Sequence, residues 1–285
     1  MRARLGDSKD LVSHGNVTLG EAWARQAFAR VSNEPALTPE SLLHALCIDS
    51  PDVLRARCPA DHEAQCWNTE SEAFSAETKT LKAVARDLDK LEALGVKVTR
   101  AEVAIVCTER INEAASRGVS RFHVDLHTME RLVLSARAAT NEPVYAICGK
   151  VGGMGSYGDQ FGPLSSHLHA VVEQGKARSE YRFPNVGSVA FVRDADASHL
   201  IVGMASLVGK WAREVLMARI VRHYRKHVDD LPQASGYHDP ITAQFVHATR
   251  LVRKKTKLPS DCFERRAIGD AATSKKRPTA PPASS

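Results

Sequence analysis

Residues 189–224 read VAFVRDADASHLIVGMASLVGKWAREVLMARIVRHY, and the reading of this stretch decides the fold. Val189, Ala190, Phe191 and Val192 form a short apolar run that predicts a strand, closed by two aspartates, Asp194 and Asp196. Strand residues two apart share a face, so both carboxylates are expected to look into one site. Beyond them Leu200, Met204, Leu207, Trp211 and Val215 recur at three- and four-residue intervals, the apolar stripe of a long buried helix. Ser198 is placed to cap that helix, and the carboxylates before it lie where the helix dipole favours negative charge. Ser206, Lys210 and Glu214 form a polar set on another face. The spacing fits a capped core helix as well as a functional one.

Outward from this stretch, further elements follow by pattern. PVYAIC (143–148) predicts a strand, as do segments near 169–173 and 179–183, with Glu173 at a strand end. VKVTRAEVAIVC (97–108) alternates at Val103, Ile105 and Cys107 and reads as another. Helices are expected over about 19–31, 77–94 and 124–139, and after Asp239-Pro240 to about Lys255. The loop GKVGGMGSYG (149–158) could cradle phosphate on backbone amides, but Lys150 precedes the glycines, so it lacks the nucleotide-binding order; a permissive turn fits equally.

Residues 39–75 read as a helical insertion opened by Thr38 or Pro39. Within it Cys58, His62 and Cys66 invite a zinc reading. On one continuous helix positions 58 and 66 would stand about 12 Å apart at 1.5 Å per residue. Bonds of about 2.0–2.3 Å to one tetrahedral ion cannot bridge that distance. Only a helix break, for which Pro59 offers a place, with Cys47 as a fourth ligand, would restore such a site. The expectation is therefore a partly buried helix with reduced thiols, and zinc at Cys58, His62 and Cys66 is not expected.

ASLVGKWARE, with Asp196 ten residues before Ser206, resembles the motif of type 2 ribonucleases H, the ribonuclease HII group. Ser235-Gly236-Tyr237 resembles that family's Gly-Tyr segment, Asp7-Ser8-Lys9 its Asp-Ser-Lys, and DCFERR (261–266) its Arg-rich C-terminal motif. The resemblance implies an α/β, ribonuclease H-like mixed sheet flanked by helices, with C-terminal helices covering one end. It implies metal-dependent hydrolysis of RNA in RNA–DNA hybrids, or of ribonucleotides embedded in DNA, with Mg or Mn held by carboxylates. Asp196 is then the expected metal ligand, with Asp194, Glu173 and Glu214 as further candidate catalytic acids. Lys9, Lys150, Arg178, Ser179 and Lys210 would contact the nucleic-acid backbone, and Tyr237 would read the sugar at the ribonucleotide junction.

Two departures bear on that activity. In the family, a strand with an Asp-Glu pair precedes Asp-Ser-Lys, whereas this sequence starts at Met1, so that strand is expected upstream in a longer chain. The family's third carboxylate stands where this sequence has Cys148-Gly149, and a soft thiol suits magnesium poorly. The competing reading is a nucleic-acid-binding protein on the same fold without hydrolysis. A third is an interaction module stabilised by zinc.

Composition is compatible with each of these. The 285 residues are 43% hydrophobic and 25% charged, ordinary for a soluble globular protein, and carry a formal charge of +6. The basic balance suits a nucleic-acid partner. No apolar run reaches membrane-spanning length, and six scattered cysteines suggest reduced thiols in a cytoplasm. Residues 1–267 are expected to form one domain, as a monomer, and 268–285 a flexible basic tail.

Overall fold

The computed structural model describes residues 4, 5, 11, 15–59 and 63–266. Lys9 with the rest of Asp7-Ser8-Lys9, His62, and the tail at 268–285 lie outside the described residues. Ten α-helices are described. They are α1 (Thr18–Ser32), α2 (Pro39–Leu46), α3 (Pro51–Arg55), α4 (Glu63–Trp67), α5 (Thr78–Ala93), α6 (Thr108–Ser116), α7 (Arg121–Thr140), α8 (Ala195–Ser198), α9 (Leu200–Arg225) and α10 (Pro240–Lys255). The strands are β1 (Val144–Gly149), β2 (Ala170–Gln174), β3 (Arg178–Phe183) and β4 (Gly187–Val192), so the fold is α/β with a four-stranded mixed sheet.

Local chemistry sets the helix boundaries. Thr38 opens α2 with a capping box, its hydroxyl accepting from Ser41 N while Ser41 Oγ accepts from Thr38 N, and Pro39 supplies the preset first turn. Ser120 caps α7 and Asp239 caps α10, again with Pro240 at the first position. Asn33 and Asn141 end α1 and α7 in the left-handed region.

The sheet order is β1-β4-β3-β2, with β1 parallel to β4 and the other pairs antiparallel. Gly187 is obligatory at the β1–β4 junction: its φ is +125°, and a Cβ there would lie 2.0 Å from Val144 O. β2 is exposed along its whole length, and its pairing with β3 is irregular between Val171 and Glu173. β1 pairs on one side only among the described residues, and although its sequence is VYAICG, none of it is fully buried.

Three apolar clusters hold the layers together. Trp23, Leu42, Leu43, Val84 and Leu88 of the helical layer pack with Leu207 and Trp211 of α9. Leu126 and Val133 of α7 cover the sheet, against Tyr157, Phe161, Tyr181, Phe183 and Phe191. Val221 and Tyr224, near the end of α9, meet Leu231 and Phe245. α9 thus runs through two cores, and its predicted stripe is buried at Leu207 and Trp211 but exposed at Leu200.

The strand expected over 97–108 is absent. Val103 N donates to Leu46 O at 2.7 Å and its carbonyl accepts from Ile48 N at 3.0 Å, a single bridge at Cys47. The segment caps the end of α2 and buries Val103 in the helical core, so its alternation reflects one-sided burial without a neighbouring strand. No described helix is long and apolar enough to cross a membrane.

Candidate functional site

The sheet topology brings much of the predicted site to one end. β1 and β4 finish side by side, Gly149 opposite Val192, and Lys150 N donates to Val192 O at 3.0 Å. Arg178 starts β3 opposite Val192, and Glu173, one residue before the end of β2, lies opposite Glu180. Lys150, Glu173, Arg178, Ser179, Asp194 and Asp196 therefore share the end where open α/β sheets receive ligands, beyond the carboxyl ends of parallel strands.

The detail at this end differs from expectation. β4 stops at Val192, Asp194 adopts a left-handed conformation (φ 50°, ψ 40°), and Asp196 falls in the first turn of α8. Strand alternation therefore does not align the two carboxylates. The chain turns because Asp194 O accepts from Ala197 N and Ser198 N, both at 3.2 Å, and from Ser198 Oγ at 2.9 Å. Ser198 is thereby used inside the turn, and α9 starts from His199 with no side-chain cap. The Asp194 carboxylate is 84% exposed, 3.7 Å from Arg193, while Asp196 is half-buried.

Lys150 and Ser179 serve the loop. Lys150 Nζ donates to Met154 O (2.8 Å), Gly175 O (2.7 Å) and Ser179 Oγ (2.9 Å), which uses all three donors of an ammonium. Burial lowers its pKa. Ser179 is fully buried and donates to Gly155 O at 2.7 Å. Neither side chain is left to grip a phosphate, and the Gly-rich loop is a tied turn that also holds Val151 to the Tyr157 hydroxyl. Arg178 sits between Glu180 (2.6 Å) and Glu173 (3.3 Å); the Glu180 hydrogen bond leads in raising its pKa. Cys148 packs on the aromatic cluster under the sheet, where burial pushes its thiol up to about 12, so it is a core residue.

Glu214 does not belong with Asp196. It lies 14 residues past Leu200 on α9, roughly 21 Å along the axis at 1.5 Å per residue. It is buried and accepts from Arg213 at 2.8 Å. Lys210, one turn earlier, is half-buried. Among the described residues no group of three or more His, Cys, Asp or Glu side chains is set to hold a metal ion.

A second assembly forms farther along α9, around Tyr237. The Arg213 guanidinium lies 3.8 Å from the centre of the Tyr237 ring, which is 53% exposed. Arg213 Nη2 donates to Ser235 O at 2.5 Å, fixing the 235–237 turn against the helix. Gly236 makes that approach possible: its φ is +72°, and a Cβ would meet Met217 Sδ at 2.8 Å. Asp239 braces the turn from the other side, accepting from Ser235 Oγ (2.5 Å), Thr242 Oγ1 (3.0 Å) and Thr242 N (2.8 Å). The Ser235 bond leads in holding its carboxyl down to about 2.

Arg121 and Arg265 complete the cluster. Desolvation, then the like charges of Arg121 and Arg213, lower the pKa of Arg265, while Asp125 opposes them. Asp125 lies 3.9 Å from Arg121 and is itself raised by desolvation. Arg265 thus lies within electrostatic reach of Arg121 and Arg213, with Asp125 beside Arg121 and Glu214 beside Arg213. From Tyr237 a groove of about 980 Å³ continues along α10, lined by His238, His247 and Arg250 among others. A guanidinium stacked on an exposed tyrosine, flanked by further guanidinium groups, suits a base or sugar beside its phosphates.

The sequence singles out Tyr237 but not the arginine stacked on it. Arg213 lies inside ASLVGKWARE and Arg265 inside DCFERR, so both carried a signal; Arg121 carried none. Comparisons with family models, curated proteins and solved structures returned no match.

Proposed function

We propose that this chain is a nucleic-acid-binding protein of the ribonuclease HII type, gripping a strand of an RNA–DNA hybrid, or of DNA containing a ribonucleotide. The observation that carries this reading is the Arg213–Tyr237 stack, 3.8 Å from guanidinium to ring centre, beside Arg121 and Arg265. It lies in the segment whose Ser235-Gly236-Tyr237 resembles the family's junction-reading loop. Tyr237 would stack on the sugar or base and the arginines would neutralise adjacent phosphates. The sheet end with Asp196 lies roughly 20 Å away along α9, about six base-pair rises of 3.4 Å.

Metal-dependent hydrolysis is the second reading, favoured by the position of Asp196 at the carboxyl end of the parallel β1–β4 pair. Of the proposed acids, Asp194, Glu173 and Asp196 share that end. Two-metal chemistry with Mg or Mn needs carboxylates on both ions, so this activity would require acids beyond those grouped in the described residues.

One experiment separates the readings: a duplex with one embedded ribonucleotide, offered to this chain and to Asp196→Asn with manganese or magnesium. Binding without cutting supports the binding protein. Cutting that Asp196→Asn abolishes supports the nuclease. Neither binding nor cutting refutes both.

A further inference from the structure

The groove that leaves Tyr237 follows one face of α10. Ala243, Val246, His247 and Arg250 line it and recur every three or four residues, while Phe245 and Thr249 on the opposite side of the helix are buried. Its other wall is the segment at 260–264, which Arg253 fastens to the helix. Arg253 Nη2 donates to Val246 O at 2.8 Å and Nη1 to Glu264 Oε1 at 2.7 Å, and the guanidinium lies 4.1 Å from the centre of the Phe263 ring. Fixed elements therefore bound the groove on both sides. Its volume of about 980 Å³ stands at the upper end of the roughly 300–1,000 Å³ of ligand clefts.

The lining and the dimensions suit one nucleic-acid strand. Tyr237 offers an exposed ring at one end, and His238 and His247 add two further exposed rings along the groove. Ala243 and Val246 supply an apolar floor, and Arg250 presents an exposed guanidinium toward the other end. The two carboxylates on the lining are already engaged, Asp239 with Ser235 and Thr242 inside the turn and Glu264 with Arg253. From Asp239 to Arg250 the helix advances roughly 17 Å, the length of about five nucleotides stacked at 3.4 Å each. Spread over that length, 980 Å³ leaves a channel roughly 8 Å across, whereas the major groove of a duplex alone is about 12 Å wide. A single strand fits and a duplex does not.

We propose that this groove holds a single-stranded extension of the nucleic acid gripped at Tyr237, so that the preferred substrate is a hybrid with a single-stranded end of about five nucleotides. The inference rests on the nucleic-acid-binding reading above and adds the form of the substrate. Bases of the extension stack on the rings of Tyr237, His238 and His247, and Arg250 meets a phosphate toward the far end. Such stacking reads no sequence, because every base has a flat face to offer. The extension therefore adds affinity and sets the orientation of the strand on the protein, without sequence preference.

The test compares a blunt RNA–DNA hybrid with the same hybrid carrying a DNA extension of about five nucleotides, placed at each strand end in turn. The quantity read is the ratio of the two dissociation constants for the full chain. The expected result is that an extension of one polarity binds roughly 10-fold more tightly than the blunt form, as one stacked base would give. Arg250→Ala and His247→Ala should each bring that ratio toward unity. Lys254→Ala, which removes a cation of α10 outside the groove, should keep it. All three positions are exposed, so the variants spare the core. A blunt hybrid that binds, with no gain from any extension, overturns this inference and leaves the binding reading standing. So does a gain that survives Arg250→Ala combined with His247→Ala, or one lost equally in Lys254→Ala. Failure of the blunt and of every extended hybrid to bind removes the binding reading itself, and this inference with it.

Discussion

Replacing Arg219 with methionine should unfold this protein more readily than any change of similar volume on its surface. Arg219 is fully buried on α9. Its Nε donates to Glu72 Oε1 at 2.8 Å, and its Nη2 donates to Glu72 Oε2 at 2.7 Å and to Glu40 Oε2 at 2.5 Å. Burial opposes the charge, but the Glu72 hydrogen bonds and the two carboxylates outweigh it and raise the pKa. Arg219→Met leaves Glu72, whose side chain is only 7% exposed, with Arg222 at 3.5 Å as its remaining cation in the cluster. Breaking a buried pair from one side costs about 3–5 kcal/mol, because the surviving charge stays desolvated. Adding Glu72→Gln removes that charge, so the double variant should recover about 1 kcal/mol or more relative to the sum of the single losses. Equilibrium urea unfolding would show a lower midpoint at unchanged slope. A loss below about 1 kcal/mol for Arg219→Met, or strictly additive losses, would refute the claim that this network anchors 39–75 to α9.

Further outcomes follow from single positions. Gly187→Ala should cost about 4 kcal/mol or more, since the new Cβ would collide with Val144 O where β1 meets β4; a variant melting like the parent would contradict the geometry. Asp239 titrates near 2 when folded, below its unfolded value of about 3.9. Its contribution to stability should be complete above that unfolded value and lost as pH falls through about 2. The stability gap between the parent and Asp239→Asn, followed by acid titration, should close over that window. Arg265→Ala relieves like-charge crowding by Arg121 and Arg213, so stability should hold or rise while hybrid binding weakens. Its log–log salt slope should drop by about 0.9, and an unchanged slope would remove Arg265 from the interface.

β1 and β4 were legible as apolar runs beside turns, and the predicted limits at 143–148, 169–173, 179–183 and 189–192 fall close to the observed ones. The segment 97–108 has the same alternation, but a strand requires a partner, and Val103 found the end of α2 instead. The two-residue spacing of Asp194 and Asp196 looks alike in a strand and in the turn that follows β4. Lys150 and Glu214 carried correct charges but unknown surroundings: one is consumed by loop carbonyls and the other is buried beside Arg213. The arginine cluster joins positions 121, 213 and 265. Such long-range convergence has no periodicity for a sequence to display.

The central claim is tested most directly by titrating a short RNA–DNA hybrid and the matching DNA duplex with the unaltered chain and with Tyr237→Ala, over a range of salt. Tyr237 is exposed, so its truncation spares the core. The account predicts hybrid binding with a marked salt dependence, weakened in Tyr237→Ala by about 1–3 kcal/mol, roughly 5- to 150-fold, at an unchanged salt slope. Binding by Tyr237→Ala equal to that of the parent, or no binding of either duplex by the parent chain, would contradict it.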